Sequence, residues 1–142
     1  MFKWALICAG LAVFIGTPLA IVFTPLLSTW VVQWFTYDLH FKRVQITATH
    51  DRKQCSDAAS PIVVAIKNGS SRTALESSFY LNAVRPGRSF DVSNGGEWTG
   101  RPIPPGETLK ICAPAVLIKD AAGENPQDFV WSAGLSWVRF AD

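Results

Sequence analysis

The residue types that most often do chemistry are few and scattered in this 142-residue chain. It has three cysteines, two histidines and a single methionine, Met1. A copper or zinc site needs several thiolate, thioether or imidazole ligands close together, and the chain contains no Cys-x-Cys or Cys-x-x-Cys pair. His50 lies five residues before Cys55, but two ligands do not close a site. The sequence therefore predicts no metal site and no cofactor.

Catalytic patterns are equally sparse. No Gly-x-Ser-x-Gly elbow is present, and neither His40 nor His50 stands in a pattern that identifies a serine or cysteine partner. Asp and Glu occur singly, so no pair of carboxylates is singled out for acid–base work. The glycines of Asn94-Gly95-Gly96 are explained more simply by a hairpin turn than by a phosphate-binding loop. We therefore predict no catalytic residues and a protein that is not an enzyme.

Composition limits the class of protein. Of the residues, 49% are hydrophobic and 17% are charged, and the mean hydropathy is +0.19. A disordered chain has the opposite balance. The formal net charge of +2 provides no strong field to hold nucleic acid. The few reactive residues therefore belong to an ordered protein that we do not expect to bind nucleic acid.

The N-terminal segment has the properties of a membrane anchor. Residues 4–37 contain no Asp, Glu, Lys, Arg or His, and about 20 apolar residues suffice to span a bilayer as a helix. We predict one transmembrane helix over about residues 4–27, within an anchor region of residues 1–37. Indole and phenol rings favour the headgroup zone, so the expected membrane-interface anchors are Trp4, Trp30, Trp34 and Tyr37.

Processing and orientation each have two interpretations. A cleavable signal peptide is the rival to an uncleaved anchor, but Pro18-Leu19-Ala20 makes a poor cleavage site and the apolar run continues beyond it. Counted alone, the positive charges would place the C-terminal part in the cytoplasm, whereas the cysteines discussed below favour the opposite side. Lys3 precedes the helix, and the positive charges that follow it are Lys42, Arg43, Arg52 and Lys53.

Small residues recur in the predicted helix at intervals of three or four. At about 100° per residue they share one stripe, about 80° wide. Small side chains allow helix backbones to approach closely in lipid, so the stripe predicts a packing interface with a partner protein in the membrane. The alternative is chance alignment, because Ala and Gly are common in membrane helices. The stripe consists of Ala5, Ala9, Ala12, Gly16 and Ala20.

The remaining residues, 38–142, have the texture of antiparallel strands. Short runs in which apolar and polar residues alternate are separated by turn residues such as Arg85-Pro86-Gly87-Arg88. The first strand is expected at Phe41 to Ala48 and the last at Phe129 to Phe140. We predict an all-β domain, an antiparallel β-sandwich of about seven strands. In the last strand, one face is expected to carry Trp131, Ala133, Leu135 and Trp137.

The order of features in this domain resembles immunoglobulin-like and fibronectin type III-like domains. An apolar strand and turn at Ile62 to Asn68 is followed by Phe79 to Leu81, and then by the Pro104-Pro105-Gly106-Glu107 turn that leads to Leu109 and Cys112. The resemblance covers about the last three quarters of the chain and concerns the fold, not a specific family. Antibody-type domains place a core tryptophan shortly after the first cysteine, whereas here the next one after Cys55 is Trp98.

Two cysteines fall in the predicted sandwich and one, Cys8, in the predicted helix. Cys55 and Cys112 are far apart in sequence and suited to joining an early strand to a late one. We favour a disulfide, with two buried free thiols as the alternative. A disulfide would place the domain in an oxidising space, such as the periplasm, a lumen or the cell exterior.

Several further residues have a functional and a structural interpretation. Asn68-Gly69-Ser70 matches a glycosylation sequon but is also a turn. Trp131 and Trp137 are expected in the sandwich core, because a sugar-binding platform would need them exposed. Positive residues near the membrane exit, and those that flank turns, are candidates for contact with headgroups or an acidic partner; these are His40, Lys42 and Arg43, and Arg85, Arg88 and Arg101.

These observations predict a non-catalytic, single-pass membrane protein with an extracytoplasmic β-sandwich. It is expected to act by protein–protein contact, as an accessory or assembly subunit of a larger membrane complex. The alternative is a membrane-tethered binding module that captures a peptide or a glycan on a sheet edge or an aromatic face. The sequence leaves homo-oligomerisation open.

Overall fold

A computed structural model describes residues 31–141 of the chain. A helix, α1, covers residues 31–41, and the chain divides into two compact units with the boundary after Leu39. In the described part of the chain, no helix is long and apolar enough to cross a membrane. The anchor helix predicted over residues 4–27 lies outside the described residues, as do Trp4, Ala5, Ala9, Ala12, Gly16, Ala20 and Trp30.

Two antiparallel three-stranded sheets make up the domain. The strands are β1 (Val44–His50), β2 (Ile62–Asn68), β3 (Ala74–Val84), β4 (Gly95–Thr99), β5 (Thr108–Ala113) and β6 (Val130–Phe140). Sheet A has the order β1-β2-β5, and sheet B has the order β4-β3-β6. The prediction of an all-β, sandwich-like domain is confirmed, but the count of about seven strands is corrected to six within residues 31–141.

The first strand begins later than predicted. Residue 41 still belongs to α1, and the N–H of Arg43 donates to the carbonyl of His40 over 3.1 Å, closing a turn after the helix. The chain becomes extended only at Val44, which pairs with Asn68. Phe41 therefore packs against the core from the end of a helix and not from a strand.

The core lies between the two sheets, because the inward-facing side chains of both are apolar. Ile62, Val64 and Ile66 of β2 are fully buried, and β3 contributes Phe79 and Leu81. Removing such apolar surface from water, at about 25 cal/mol per Å², is the main favourable term in folding. Other large buried apolar residues are Val44, Val92, Ile103, Phe129, Trp131 and Val138.

The predicted Asn-Gly-Gly turn is the beginning of a strand. The N–H of Asn94 donates to the carbonyl of Val116 over 3.0 Å, and Ser93 forms a bridge with Leu117. These contacts keep the chain extended into Gly95, where β4 begins beside β3. Pairing with residues distant in sequence thus overrides the local preference of this sequence for a turn.

The predicted disulfide is confirmed. Cys55, in the loop between β1 and β2, is bonded to Cys112 on β5, and their Cα atoms are 5.7 Å apart, within the range that disulfide geometry requires. Cys112 pairs with Val63 on the outer face of sheet A. The bond therefore fastens the loop over this outer face, and Val63 is buried although it points away from the core.

Candidate contact surface

The two tryptophans of β6 lie on opposite faces of sheet B. Trp131 is buried in the core, as predicted, and its Nε1–H donates to the carbonyl of Pro126 over 2.8 Å. Its ring also meets that of Phe129 edge-on, with centroids 6.5 Å apart. Trp137, which was predicted to share this face, is 38% exposed on the outer face of the sheet. The prediction of a shared core face is therefore wrong for Trp137.

A β-bulge in β6 explains the position of Trp137. Leu135 and Trp137 pair with consecutive residues of β3, so Ser136 is an extra residue with no partner of its own. Side chains alternate along a strand, and one extra residue exchanges the faces of all that follow. Val138 consequently takes the core position, where it is 1% exposed.

Three exposed aromatic side chains lie next to one another on the outer face of sheet B. Trp98 on β4 and Trp137 on β6 both pair with Ser78 of β3, one from each side. Tyr80 is the next outward-facing residue of β3. Trp98 is 60% exposed and Tyr80 45%. We call Tyr80, Trp98 and Trp137 the aromatic row.

Two glycines make room for rings of the aromatic row. Gly134 pairs with Tyr80, and a side chain at this position would overlap the tyrosine ring. A Cβ at Gly100 would lie 2.9 Å from the indole of Trp98, which is closer than real Cβ contacts. Glycine in a sheet often marks such a close approach. The ring of Tyr80 therefore packs against the backbone at Gly134, and the indole of Trp98 packs against the backbone at Gly100. These contacts restrict the orientation of both side chains.

An ion pair borders the aromatic row. Glu76 and Arg139 pair across β3 and β6, one outward position beyond Ser78 and Trp137. The guanidinium of Arg139 donates a hydrogen bond to Glu76 Oε1. This bond lowers the pKa of the Glu76 carboxyl and raises the pKa of Arg139. Both groups are therefore charged at neutral pH, and they place an arginine beside the exposed rings.

Trp98 was not singled out as a functional residue from the sequence. The Gly95-Gly96 pair before it was interpreted as part of a turn, which concealed the strand that carries it. In the folded sheet Thr99 is buried and Trp98 is exposed. This difference cannot be seen in the sequence, so no local signal identified Trp98. Its alignment with Trp137 depends on β3, which separates the two strands.

Two predicted interface anchors lie in the described part of α1. Trp34 and Tyr37 are both exposed, and Trp34 makes an edge contact with Phe35, with ring centroids 5.8 Å apart. His40, expected near headgroups, lies beside Phe140, with centroids 5.6 Å apart. Within residues 31–141 its buried Nδ1 has no hydrogen-bond partner. Contact with lipid stays a prediction for Trp34 and Tyr37.

The arginines that flank turns do not form one patch. Arg85 follows the end of β3, whereas Arg101 lies near its beginning, since the chain two residues later is bridged to Ala74. Arg85 donates to both carboxylate oxygens of Glu124 and lies 5.6 Å from the centre of the Phe129 ring. These hydrogen bonds raise the pKa of Arg85 and lower that of Glu124. Arg85 is therefore already paired.

The glycosylation sequon is a buried turn. Asn68 is fully buried, and its Nδ2 donates to the carbonyls of Arg72 and Ile103 over 2.8 and 2.7 Å. Its Oδ1 accepts from the backbone N–H and the hydroxyl of Ser70 over 3.0 and 2.7 Å. The hydrogen-bonding capacity of the amide is used in full, so a glycan has no access to it in the folded domain.

The described residues contain no candidate metal centre. Within residues 31–141, no group of three or more His, Cys, Asp or Glu side chains is placed to hold a metal ion. Comparisons with models of known protein families, with curated proteins and with solved structures find no match to this chain. The candidate site is therefore the aromatic row with its bordering ion pair.

Proposed function

We propose that this protein is a non-catalytic accessory or assembly subunit of a membrane complex, which binds a partner protein through the aromatic row. The observation that carries the proposal is the placement of Tyr80, Trp98 and Trp137 at adjacent positions of one exposed sheet face. Single exposed apolar residues are ordinary on protein surfaces. Three adjacent exposed aromatic side chains, one from each of three strands, indicate a surface that binds a partner.

The composition of the surface favours a protein as the partner. Trp, Tyr and Arg are the residues whose truncation most often costs about 2 kcal/mol or more of binding energy at interfaces. All three types meet here, because Arg139 lies on the same face of β6 as Trp137. Aromatic rings also bury a large area for little loss of side-chain entropy.

The N-terminal segment and the disulfide support a membrane-anchored domain that lies outside the cytoplasm. The uncharged run of residues 4–37 is long enough for one span, and structural disulfides persist in oxidising spaces. Lys42 and Arg43 would favour a cytoplasmic domain, but the positive-inside rule weakens for charges of a folded domain, and both belong to the unit that contains the strands. We infer an extracytoplasmic domain on a single-pass anchor.

We also infer that the domain is immunoglobulin-like or fibronectin type III-like. Two facing antiparallel sheets with the orders β1-β2-β5 and β4-β3-β6 support this assignment. The disulfide lies on the outer face of sheet A, whereas antibody-type domains carry one between the sheets. The resemblance is therefore to the sandwiches that lack the antibody-type core disulfide.

The test is purification of the tagged full chain from its native membrane in mild detergent, followed by mass and composition of the complex. We expect a stoichiometric companion with the wild-type chain, and its loss with the double variant Trp98→Ala/Trp137→Ala. Phe90→Ala is the matched control, because Phe90 is an exposed aromatic residue in the loop between β3 and β4. Retention of the companion by the double variant, or its absence from the wild type, contradicts the proposal.

The same purification tests the predicted packing stripe of the anchor. Gly16→Leu would place a large side chain in the stripe of small residues, and it should release a companion that packs on the helix. Phe14→Leu, about 160° away around a helix, is its control. If the complex survives Gly16→Leu but not the double tryptophan variant, the partner binds the domain alone.

A glycan or a peptide is the second candidate ligand. We expect it to bind at the aromatic row and not at another face of the domain. Sugar rings pack on exposed indoles, and Asn82 and Ser132 pair beside Tyr80 on the same outer face, where they offer polar groups. Oligosaccharides that change the tryptophan fluorescence of wild type but not of Trp98→Ala/Trp137→Ala would establish this alternative. No response across a glycan panel would exclude a glycan and leave a peptide or a protein as the ligand.

A further inference from the structure

A concave site lies where the segment after α1 meets the end of β2, on the side of sheet A. Its volume is about 420 Å³, and its lining residues are Lys42, Arg43, Gln45, Lys67 and Gly69. All five are exposed. The site is separate from the aromatic row, which lies on the outer face of sheet B.

The backbone fixes the relative position of the lining residues. Gln45 pairs with Lys67 in the β1–β2 register, so both side chains leave the same outer face. The N–H of Gly69 donates to the carbonyl of Arg43 over 3.1 Å. A Cβ on Gly69 would lie 2.6 Å from that oxygen, so a larger residue would push the two segments apart. Glycine is thus required for Arg43 to approach the turn after Lys67.

The charge of the site selects the ligand. Arg43 and Lys67 bring two cationic side chains to the site, and no carboxylate lines it. Gathering like charges is unfavourable unless an anion accompanies them. The guanidinium of Arg43 and the ammonium of Lys67 are donors without acceptor capacity, and the Gln45 amide adds a neutral donor. This combination matches a compact anion with several oxygen atoms.

We propose that this site binds a phosphate group, either free or in the headgroup of an anionic phospholipid. Arginine and lysine form charge-assisted hydrogen bonds with phosphate oxygens. The site follows α1 directly in sequence, close to the transmembrane helix predicted over residues 4–27, so the headgroups of anionic phospholipids are one source of such a phosphate group. The inference does not rest on the partner protein proposed above, because it uses a different face of the domain.

The experiment uses the purified full chain in micelles of a neutral detergent, titrated separately with inorganic phosphate and with short-chain phosphatidylglycerol. Affinity is measured by calorimetry. We expect Lys67→Gln to weaken binding about fivefold and Arg43→Gln/Lys67→Gln about 25-fold, since each basic residue near an anionic surface contributes roughly that factor. Lys119→Gln removes the same charge from an exposed position outside the site and should bind like the wild type.

Each outcome has a defined meaning. Binding of both ligands, with the expected losses, supports recognition of the phosphate group itself, while binding of the lipid alone identifies the headgroup as the source. Binding of inorganic phosphate alone supports a site for a free anion. The proposal is overturned if the wild type binds neither ligand, if Arg43→Gln/Lys67→Gln binds as the wild type does, or if Lys119→Gln weakens binding equally.

Discussion

At the scale of single residues, Asn68 shows how a polar side chain can organise a β-domain from within. Its amide bonds to three different residues, and its own backbone N–H and carbonyl bond to the 106–107 turn. The side chain thereby joins the turn after β2 to the segment between β4 and β5. A buried amide is tolerated only because every donor and acceptor has a partner.

Replacing Asn68 should therefore destabilise the domain. Asn68→Ala removes the side-chain donor and acceptor and leaves the carbonyl of Ile103 buried without this partner. We expect the free energy of unfolding to fall by about 3 kcal/mol, measured by urea denaturation of the full chain in neutral detergent. Asn94→Ala, at an exposed asparagine, should change it by less than about 0.5 kcal/mol. Equal effects of the two substitutions would show that the network is not important.

The pKa of Glu124 predicts a dependence of stability on pH. The pKa is lowered from 4.5 in the folded protein, chiefly by the hydrogen bond from Arg85. A carboxyl with a lowered pKa contributes stability above its unfolded pKa and loses it as the pH falls through the folded value. The difference in unfolding free energy between wild type and Glu124→Gln should therefore be constant at neutral pH and shrink below about pH 4.5.

The control for this comparison is Glu107→Gln, at an exposed glutamate of the turn before β5. It removes one carboxylate without touching the pair of Arg85 and Glu124. If both variants follow the same pH profile, the effect belongs to net charge and not to the pair. The effect is expected to be small, because exposed ion pairs are screened by water.

At the scale of elements, the bulge at Ser136 decides which residues of β6 form the core and which form a surface. Before it, Trp131 faces the core; after it, Val138 does so and Trp137 is exposed. Bulges are common where a strand must direct a particular side chain outward. The aromatic row therefore depends on Ser136 staying outside the pairing with β3.

Deleting Ser136 should test this role of the bulge. Without the extra residue, Leu135 is followed directly by Trp137, so regular alternation keeps Leu135 and Val138 facing the core and Trp137 outside. The free energy of unfolding should therefore change by about 1 kcal/mol at most. Deleting Ser132, an exposed serine of β6 that pairs with Asn82, exchanges the faces of the residues on one side of it and should lower the free energy of unfolding by about 3 kcal/mol or more. The explanation is contradicted if deletion of Ser136 destabilises the domain as much as deletion of Ser132 does, or if it closes Trp137 to quenchers.

At the scale of the whole domain, the two outer faces have different chemistry. Sheet A carries the disulfide-fastened loop and the basic site at the end of β2. Sheet B carries the aromatic row and its ion pair. One domain therefore offers a face suited to anions and another suited to an apolar or aromatic contact.

The disulfide predicts how cysteines respond to labelling in intact cells. In a Cys8→Ser background, a membrane-impermeant maleimide should label Cys55 and Cys112 only after reduction, because the two are bonded to each other and the domain is inferred to be outside the cytoplasm. Labelling is read by mass shift, with lysed cells as the control for total thiol. Modification that occurs only after lysis would reverse the inferred orientation.

Local sequence determined much of the architecture. Alternation of apolar residues located β2, β3, β5 and most of β6, because a strand with one buried face must repeat every two residues. The bond between Cys55 and Cys112 was favoured from the sequence over two free thiols, because only these two cysteines fall in the domain, and the structure contains it. In each case the signal lies within a short segment or in the count of a rare residue.

Tertiary structure decided the rest, because those features depend on residues distant in sequence. Gly95 lies in a strand since Asn94 bonds to Val116, and Trp137 is outside because the bulge is set by pairing with β3. No local pattern reports an unpaired residue or a partner strand. The candidate site was therefore missed in part: its members come from three strands, and only their register places them side by side.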